Sequence, residues 1–319
     1  MNADVLSIFD YKPEILSITD VFTNFNEEAY SENTCKALKQ AWNLFEGDCM
    51  SKGVKSLPAS SETVVEYLKS RSNSSHRNTL KSDFWAIGKV HELNSLPSPT
   101  ETLKVKKCLK GLVKTKVMKE EVIKQADAAN WEDIREKIVE LNKSDRVLDV
   151  RNASILALSY AGLLRSSELS GVKIKHLNLD HENPYVILPY TKTNKTGVAD
   201  QVSIPAIVAQ MIKKYLSLRK EVMTEEEYLF NPVTRHNSTT KHKTELSYRA
   251  ILDIYKNIEV KGKSLSTHSC RVGAAQDMWK VGVESNKIVK LGRWSNEARA
   301  AQYACGYNQD STTMTEMMK

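Results

Sequence analysis

The sequence predicts a mainly α-helical protein of two domains: an N-terminal helical bundle, then a mostly helical second domain with a small antiparallel β-sheet. Three observations carry this expectation. The chain has 319 residues, a natural length for two domains. Apolar residues recur at helical spacing from residue 31 to residue 112, and again from Trp131 to Tyr160. Alternating β-type runs are confined to the stretch between Val172 and Ile204.

Taken in order, residues 1–30 are acidic and without clear periodicity, and read as a loosely ordered arm. Leu38, Ala41, Trp42, Phe45 and Cys49 then form one apolar stripe, and Gly53 ends that helix. Ser60 or Ser61 caps a second helix with Val64, Val65 and Leu68 inward. Ser74 or Ser75 opens a third along Leu80, Phe84, Ile87 and His91. Pro97 and Pro99 break the chain before a fourth helix from about Thr100, with Val105, Leu109 and Leu112 inward. Four helices make a small all-α domain over residues 1–119, joined by a lysine-rich linker near 115–124 to a second domain over 120–319. In that second part, Trp131, Ile134, Ile138 and Leu141 mark an amphipathic helix, and Val150 to Tyr160 a strongly apolar one. Val172 and Ile174, Tyr185 to Leu188, and Val202 with Ile204 read as strands, with Thr191 to Gly197 a polar turn between the last two. Helices return after Pro205, and His236 to Lys243 reads as a polar loop.

Charge is unevenly spread. Residues 1–50 hold three lysines and nine acids, a balance of −6, whereas residues 51–119 hold fourteen basic residues and five acids, a balance of +9. Lys104, Lys106, Lys107, Lys110, Lys114, Lys116, Lys119 and Lys124 fall within twenty-one residues. Such a band fits a polyanionic partner, and it also fits a plain solvated face. The five cysteines, Cys35, Cys49, Cys108, Cys270 and Cys305, are odd in number and none are spaced Cys-x-x-Cys. That argues for a reducing compartment and against a structural zinc site. No signal peptide opens the chain and no apolar run approaches membrane length, so a cytoplasmic protein is expected.

The chemistry concentrates between Ser264 and Tyr303, which contains Thr267-His268-Ser269-Cys270-Arg271, then Gly292-Arg293-Trp294, then Tyr303. His268 and Arg271 lie three apart, on one face of a helix that Ser266 or Thr267 can cap and Gly282 can stop. In the first turn, free backbone N–H groups favour an anion, while basic side chains oppose the helix dipole. Structure alone does not select cations there; phosphate binding does. A cationic pair with a tryptophan and a tyrosine at these distances suggests phosphodiester chemistry with tyrosine as nucleophile. Tyr303 and Tyr307 are both candidates, and Ser295 can cap the helix presenting Tyr303.

These residues resemble the tyrosine site-specific recombinases, the lambda-integrase family, over most of the chain. The likeness runs through Lys143-Ser144-Asp145-Arg146, Asp149-Val150-Arg151-Asn152 and Leu163-Leu164-Arg165, then Thr191-Lys192-Thr193, His268 to Ala275, and Gly292-Arg293-Trp294. It is weakest in residues 1–60 and 232–262. The resemblance implies a role for each matching position. Arg165 and Arg271 would clamp the scissile phosphate with bidentate forks. His268 would contact the same phosphate and assist proton transfer, and Lys192, with Lys195 its neighbour in the turn, would be general acid. Trp294 would donate its indole N–H where many relatives carry histidine. Glu168 would steady the surroundings of Arg165. Tyr303, nine residues after Trp294, matches the nucleophile's position, whereas Tyr307 follows Gly306.

The resemblance further implies a clamp on double-stranded DNA, contacted by Lys104, Lys106, Lys107, Lys110, Lys114 and Lys116. The target would be an inverted repeat, recombined by a homotetramer on two DNA sites through a 3′-phosphotyrosine and a Holliday junction. A C-terminal exchange tail, 309–319, would link neighbouring subunits. No cofactor, metal, ATP, membrane or small-molecule substrate is expected. The short lead before the first helix leaves no room for an extra arm-binding domain, so a self-sufficient enzyme of prokaryotic, phage or plasmid origin is expected. Two alternatives stand beside this: a relaxing enzyme of topoisomerase IB type, and a DNA-binding regulator that has lost catalysis.

Overall fold

A computed structural model describes residues 30–122, 125–189, 191, 194, 198–219, 223–234, 236–238 and 244–304. The arm up to residue 29, Lys192, Lys195, Tyr307 and the tail 309–319 lie outside the described residues. The chain divides into two compact units between Ile123 and Lys124.

Among the described residues the first unit has four helices: α1 (Glu32–Ser51), α2 (Ser61–Ser72), α3 (Arg77–Leu93) and α4 (Leu103–Met118). Ser31 and Ser60 cap α1 and α2, accepting from the N–H of Thr34 and Thr63. Two expected starts shift. His76, not Ser74 or Ser75, caps α3, its Nδ1 accepting from Asn78 N–H at 3.1 Å. Pro99–Glu101 forms a 3₁₀ turn, so α4 begins at Leu103 rather than near Thr100. Leu38, Trp42, Phe45, Val64, Leu68, Ile87, Val90 and Val105 are fully buried and make the core. His91 is fully buried among them, edge-on to Trp42. Its Nε2 accepts from Ala59 N–H and its Nδ1 meets the Ile87 carbonyl, so both ring nitrogens are satisfied.

The second unit is built on α6 (Val147–Ala161), whose Val150, Ala153, Ile155, Leu156 and Leu158 are fully buried. Around it pack α5 (Trp131–Lys143), α8 (Ala206–Leu218) and α10 (Ser269–Lys280). The remaining helices among the described residues are α7 (Ser166–Ser170), α9 (Tyr248–Lys256), α11 (Ser285–Gly292) and α12 (Glu297–Ala304). A helix hydrophobic on nearly every side, as the sequence of α6 is, belongs in a core. Trp131 departs from expectation: it opens α5 partly exposed, its ring 5.5 Å from that of Tyr160.

Three short strands, β1 (Leu177–Asn178), β2 (Tyr185–Leu188) and β3 (Asp200–Ser203), form an antiparallel sheet in that order. Val186 stands opposite both Leu177 and Val202, so one face is apolar and turns to the core. Val172 and Ile174 are not in this sheet, contrary to expectation. Their backbone pairs instead with residues 227–229, through Leu229 N–H to the Val172 carbonyl and Ile174 N–H to the Glu227 carbonyl, and Ile174–His176 winds into a 3₁₀ turn.

Candidate active site

Four chain ends converge at the site: the turn into α7, the start of α10, the end of α11, and α12. The segment before α10 folds on its own hydroxyls. Ser266 Oγ accepts from His268 N–H, and Ser269 Oγ accepts from Ser266 N–H. His268 itself stands at the N-cap, where Ser266 or Thr267 was expected, because the first helical residue is Ser269. Arg271 follows in the first turn. Gly273, one turn on, permits close packing: a Cβ there would lie 1.9 Å from the Ala129 carbonyl oxygen.

Arg271 is almost wholly buried, at 1% exposure. Its guanidinium donates to the carbonyls of Leu163 and Gly292. One face lies 4.4 Å from the Trp294 ring centre and 5.9 Å from that of Tyr303. Trp294 and Tyr303 in turn stack at 5.0 Å. Burial first, and Arg165 second, lower the Arg271 pKa to about 10, which leaves it a cation at neutral pH. Arg165 precedes α7 and donates to Glu168 Oε1 at 2.5 Å, while Glu168 Oε2 accepts from the Arg165 backbone N–H at 2.9 Å. The Arg165–Glu168 salt bridge and the proximity to Arg271 therefore coexist.

Glu168 is buried and would be driven toward its neutral form by burial. Arg293 and Arg165 outweigh that and hold its carboxyl below the usual carboxylate range. His268 is open to solvent on its outer side. The packing on its inner side, then Arg271 and Arg165, keep its pKa below the usual histidine value. Arg165, Arg271 and Arg293 thus gather around one carboxylate, and the surplus of positive charge suits a bound anion. Arg271 Nε, Trp294 Nε1 and Thr267 Oγ1 are buried donors without partners in the described residues. Each costs about 1–3 kcal/mol when left so, a cost that an incoming acceptor removes.

Two residues that sequence reasoning passed over shape the site. Gly292 must lack a side chain, since a Cβ would fall 1.9 Å from the Trp294 ring. Arg293 takes a left-handed conformation, φ 52° and ψ 46°, which costs a non-glycine residue about 1–2 kcal/mol. Leu163, whose carbonyl meets Arg271, is left-handed as well, at φ 48°. Backbone strain of this kind gathers at functional sites. The signal was the Gly-Arg-Trp run itself, read for its tryptophan alone. Tyr303 lies partly buried on α12, which Asn296 rather than Ser295 caps, Asn296 Oδ1 accepting from Arg299 N–H at 3.0 Å. The Tyr303 carbonyl accepts from the side-chain amides of Gln125 and Gln276 at 3.4 and 3.5 Å.

The structure therefore brings together Arg165, Glu168, Arg271, Trp294 and Tyr303, with His268 at the head of the same helix as Arg271. Thr191, next to Lys192 in sequence, donates its Oγ1 to Asp200 at 2.8 Å, and Lys192 itself lies outside the described residues. The six lysines expected to contact DNA all lie on α4 in the first unit. Lys104, Lys106 and Lys116 pair with Glu62, Glu101 and Glu121. Lys107, Lys110 and Lys114 are exposed, share one helical face, and have no ion pair among the described residues.

Residues 132–309 match the model of the phage integrase family. Over 317 residues the chain is 24% identical to the recombinase Cre of Escherichia phage P1, covering 95% of this chain and 92% of that protein. It is 23% identical over 287 residues to an integrase/recombinase XerD homolog of Selenomonas ruminantium, covering 87% and 82%. Among solved structures, the Tn1549 transposon integrase in complex with circular intermediate DNA superposes with a TM-score of 0.64 at 12% identity, over 94% of this chain and 98% of that one. A matched region exceeding half the chain, ending beyond Tyr303 and enclosing every residue of the cluster above, settles the family: this chain belongs to the phage integrases, the tyrosine recombinases.

Proposed function

We propose that the chain is a site-specific DNA recombinase that cuts and rejoins duplex DNA through Tyr303. The observation that carries this is the Arg271 guanidinium lying against the stacked rings of Trp294 and Tyr303, with Arg165 beside it. A phosphate drawn to the two arginines would lie next to the tyrosine. Tyr303 Oη attacks phosphorus, and the bond from phosphorus to the 5′ oxygen breaks. The product is a 3′-phosphotyrosine and a 5′ hydroxyl. His268, whose pKa burial and the two arginines hold below the usual histidine value, takes the phenol proton, and Lys192 gives one to the leaving oxygen. The 5′ hydroxyl of a partner strand then attacks the phosphotyrosine and releases Tyr303. Each step exchanges one phosphodiester for another, so ATP is not needed. Cationic side chains supply the charge stabilisation, so no metal is needed.

The DNA would be a duplex with an inverted-repeat target, engaged by a homotetramer on two sites through a Holliday junction. The exposed lysines of α4 would hold its phosphates. The tail 309–319 would seat in a neighbouring subunit. An apolar groove of about 930 Å³ lined by Trp131, Tyr160, Ile207, Val208 and Met278 is a receiving surface of the right character. Among the described residues no helix is long and apolar enough to cross a membrane. A cytoplasmic site of action, where such DNA resides, is part of the proposal.

The test uses duplexes selected from random sequence by binding to the protein, placed as two sites on a supercoiled plasmid. Recombinant products are expected, undiminished by excess EDTA and lost when residues 309–319 are removed. Relaxation without recombinants would favour the topoisomerase reading. Binding without any covalent protein–DNA adduct would favour the silent regulator. Loss of cleavage on chelation, restored by magnesium, would overturn metal independence.

A further inference from the structure

We propose that Arg293 is a positioning residue that locks Arg165 and Arg271 into one arrangement. The inference rests on the transesterification reading above and assigns the residue that organises its site. Four contacts carry it. The Arg293 carbonyl accepts from Arg165 Nη2 at 3.1 Å. Arg293 Nη2 donates to Glu168 Oε2 at 2.9 Å, and the other oxygen of that carboxylate accepts from Arg165. Arg293 Nη2 also donates to the Leu163 carbonyl at 3.0 Å, the same oxygen that accepts from Arg271. The second acceptor of Arg271 is the carbonyl of Gly292, the residue preceding Arg293. Among the described residues, each acceptor used by the Arg165 and Arg271 side chains is therefore shared with Arg293 or lies in its own or the adjoining residue.

Local structure gives no reason for arginine here. Glycine fits a left-handed turn without strain. A small residue would fill a site at 9% exposure without burying another guanidinium beside two more. Both penalties are accepted at a position whose side chain reaches across to α7 and the turn before it. There it donates to Gly162 and Leu163 as well as to Glu168, while its other nitrogen holds the Leu291 carbonyl. The end of α11 is thereby tied to the turn between α6 and α7 and to Glu168 on α7, the segments from which the clamping guanidiniums take their acceptors. Both of its terminal nitrogens face protein acceptors, so it acts through its neighbours. The effect belongs in the rate of the chemical step, where small displacements of reacting groups cost most.

The experiment compares the parent chain with Arg293→Gly and Arg293→Lys on a nicked suicide duplex whose sequence was selected by binding to the parent. Adduct formation is followed in single turnover at saturating protein, alongside duplex affinity and melting temperature. Arg293→Gly is expected to bind the duplex within about threefold of the parent and to form adduct about 100-fold more slowly. Arg293→Lys, which keeps a cation but not the fork, is expected to recover part of that loss. Adding Arg165→Lys to Arg293→Gly should cost much less than it does alone, since residues acting as a unit are not additive. Adduct formation by Arg293→Gly at the parental rate overturns the inference, as does a loss carried wholly by affinity or melting temperature. Should Arg293→Gly not fold, Arg293→Lys decides: slowed chemistry at unchanged affinity supports the assignment and parental chemistry overturns it. If the parent itself forms no adduct, the transesterification reading fails, and the inference with it.

Discussion

At the scale of single residues, the site depends on close approach as much as on charge. Gly292 leaves room for the Trp294 ring, which in turn covers the Arg271 guanidinium. Gly292→Ala would drive a methyl into that ring. We expect a loss of stability of about 1–3 kcal/mol, read as a fall in denaturant midpoint, together with slower adduct formation. An unchanged midpoint would mean that the ring shifts freely and that the stack is not needed. The chemical types of Arg165, Glu168, His268, Arg271, Trp294 and Tyr303 were legible in the sequence because each belongs to an ordered motif. Arg293 was not. Its role depends on a left-handed turn that brings it across to Glu168, and no periodicity records a contact between residues 125 positions apart. The caps were misread for a related reason: Ser266, Thr267 and His268 compete within three residues for one helix end, and hydroxyl geometry decides between them.

At the scale of elements, α4 presents a face the sequence shows only as density of charge. Three of its six singled-out lysines are engaged by carboxylates of their own unit. Lys107, Lys110 and Lys114 remain exposed along one stripe, at i, i+3 and i+7. Replacing all three with glutamine should weaken duplex binding and flatten the dependence of log Kd on log salt by about 2–3 units, near 0.9 per lost phosphate contact. The same change at Lys104 and Lys106 should have a smaller effect on the slope. An unaltered slope in the triple variant would remove α4 from the DNA surface. Helices in both units were readable from their apolar stripes, and α6 from its near-continuous hydrophobicity. The strand expected at Val172 failed because alternation over three residues cannot distinguish a sheet from a single bridge. The observed bridge joins Lys173 to Tyr228, far along the chain.

At the scale of the whole molecule, buried histidines link stability to pH. Burial lowers the pKa of His91 in the first unit and of His176 in the second, with Lys175 and Lys173 adding to the shift of His176. A histidine held neutral in the folded chain takes up its proton in the unfolded chain first. Stability is therefore expected to fall as pH drops from about 6.5 toward the folded values, and to be independent of these groups above that range. Melting temperatures between pH 7.5 and pH 5 check this, and a rise on acidification would contradict it. The chain divides between Ile123 and Lys124, and in the sequence a lysine-rich stretch separates two sets of apolar stripes. The sequence motifs alone could not show that residues 165, 168, 271, 294 and 303 meet, because that depends on α6 and α10 packing together.

The central claim is that Tyr303 becomes joined to DNA. A nicked suicide duplex traps that linkage, because the strand end diffuses away and cannot reverse the reaction. Proteolysis of the trapped adduct and mass mapping of the DNA-bearing peptide should place the phosphate on Tyr303. Tyr303→Phe keeps the ring beside Arg271 and removes one oxygen, so it should bind the duplex with little change and form no adduct, while Tyr307→Phe should still form it. DNA found on Tyr307, or an adduct formed by Tyr303→Phe, would contradict the account.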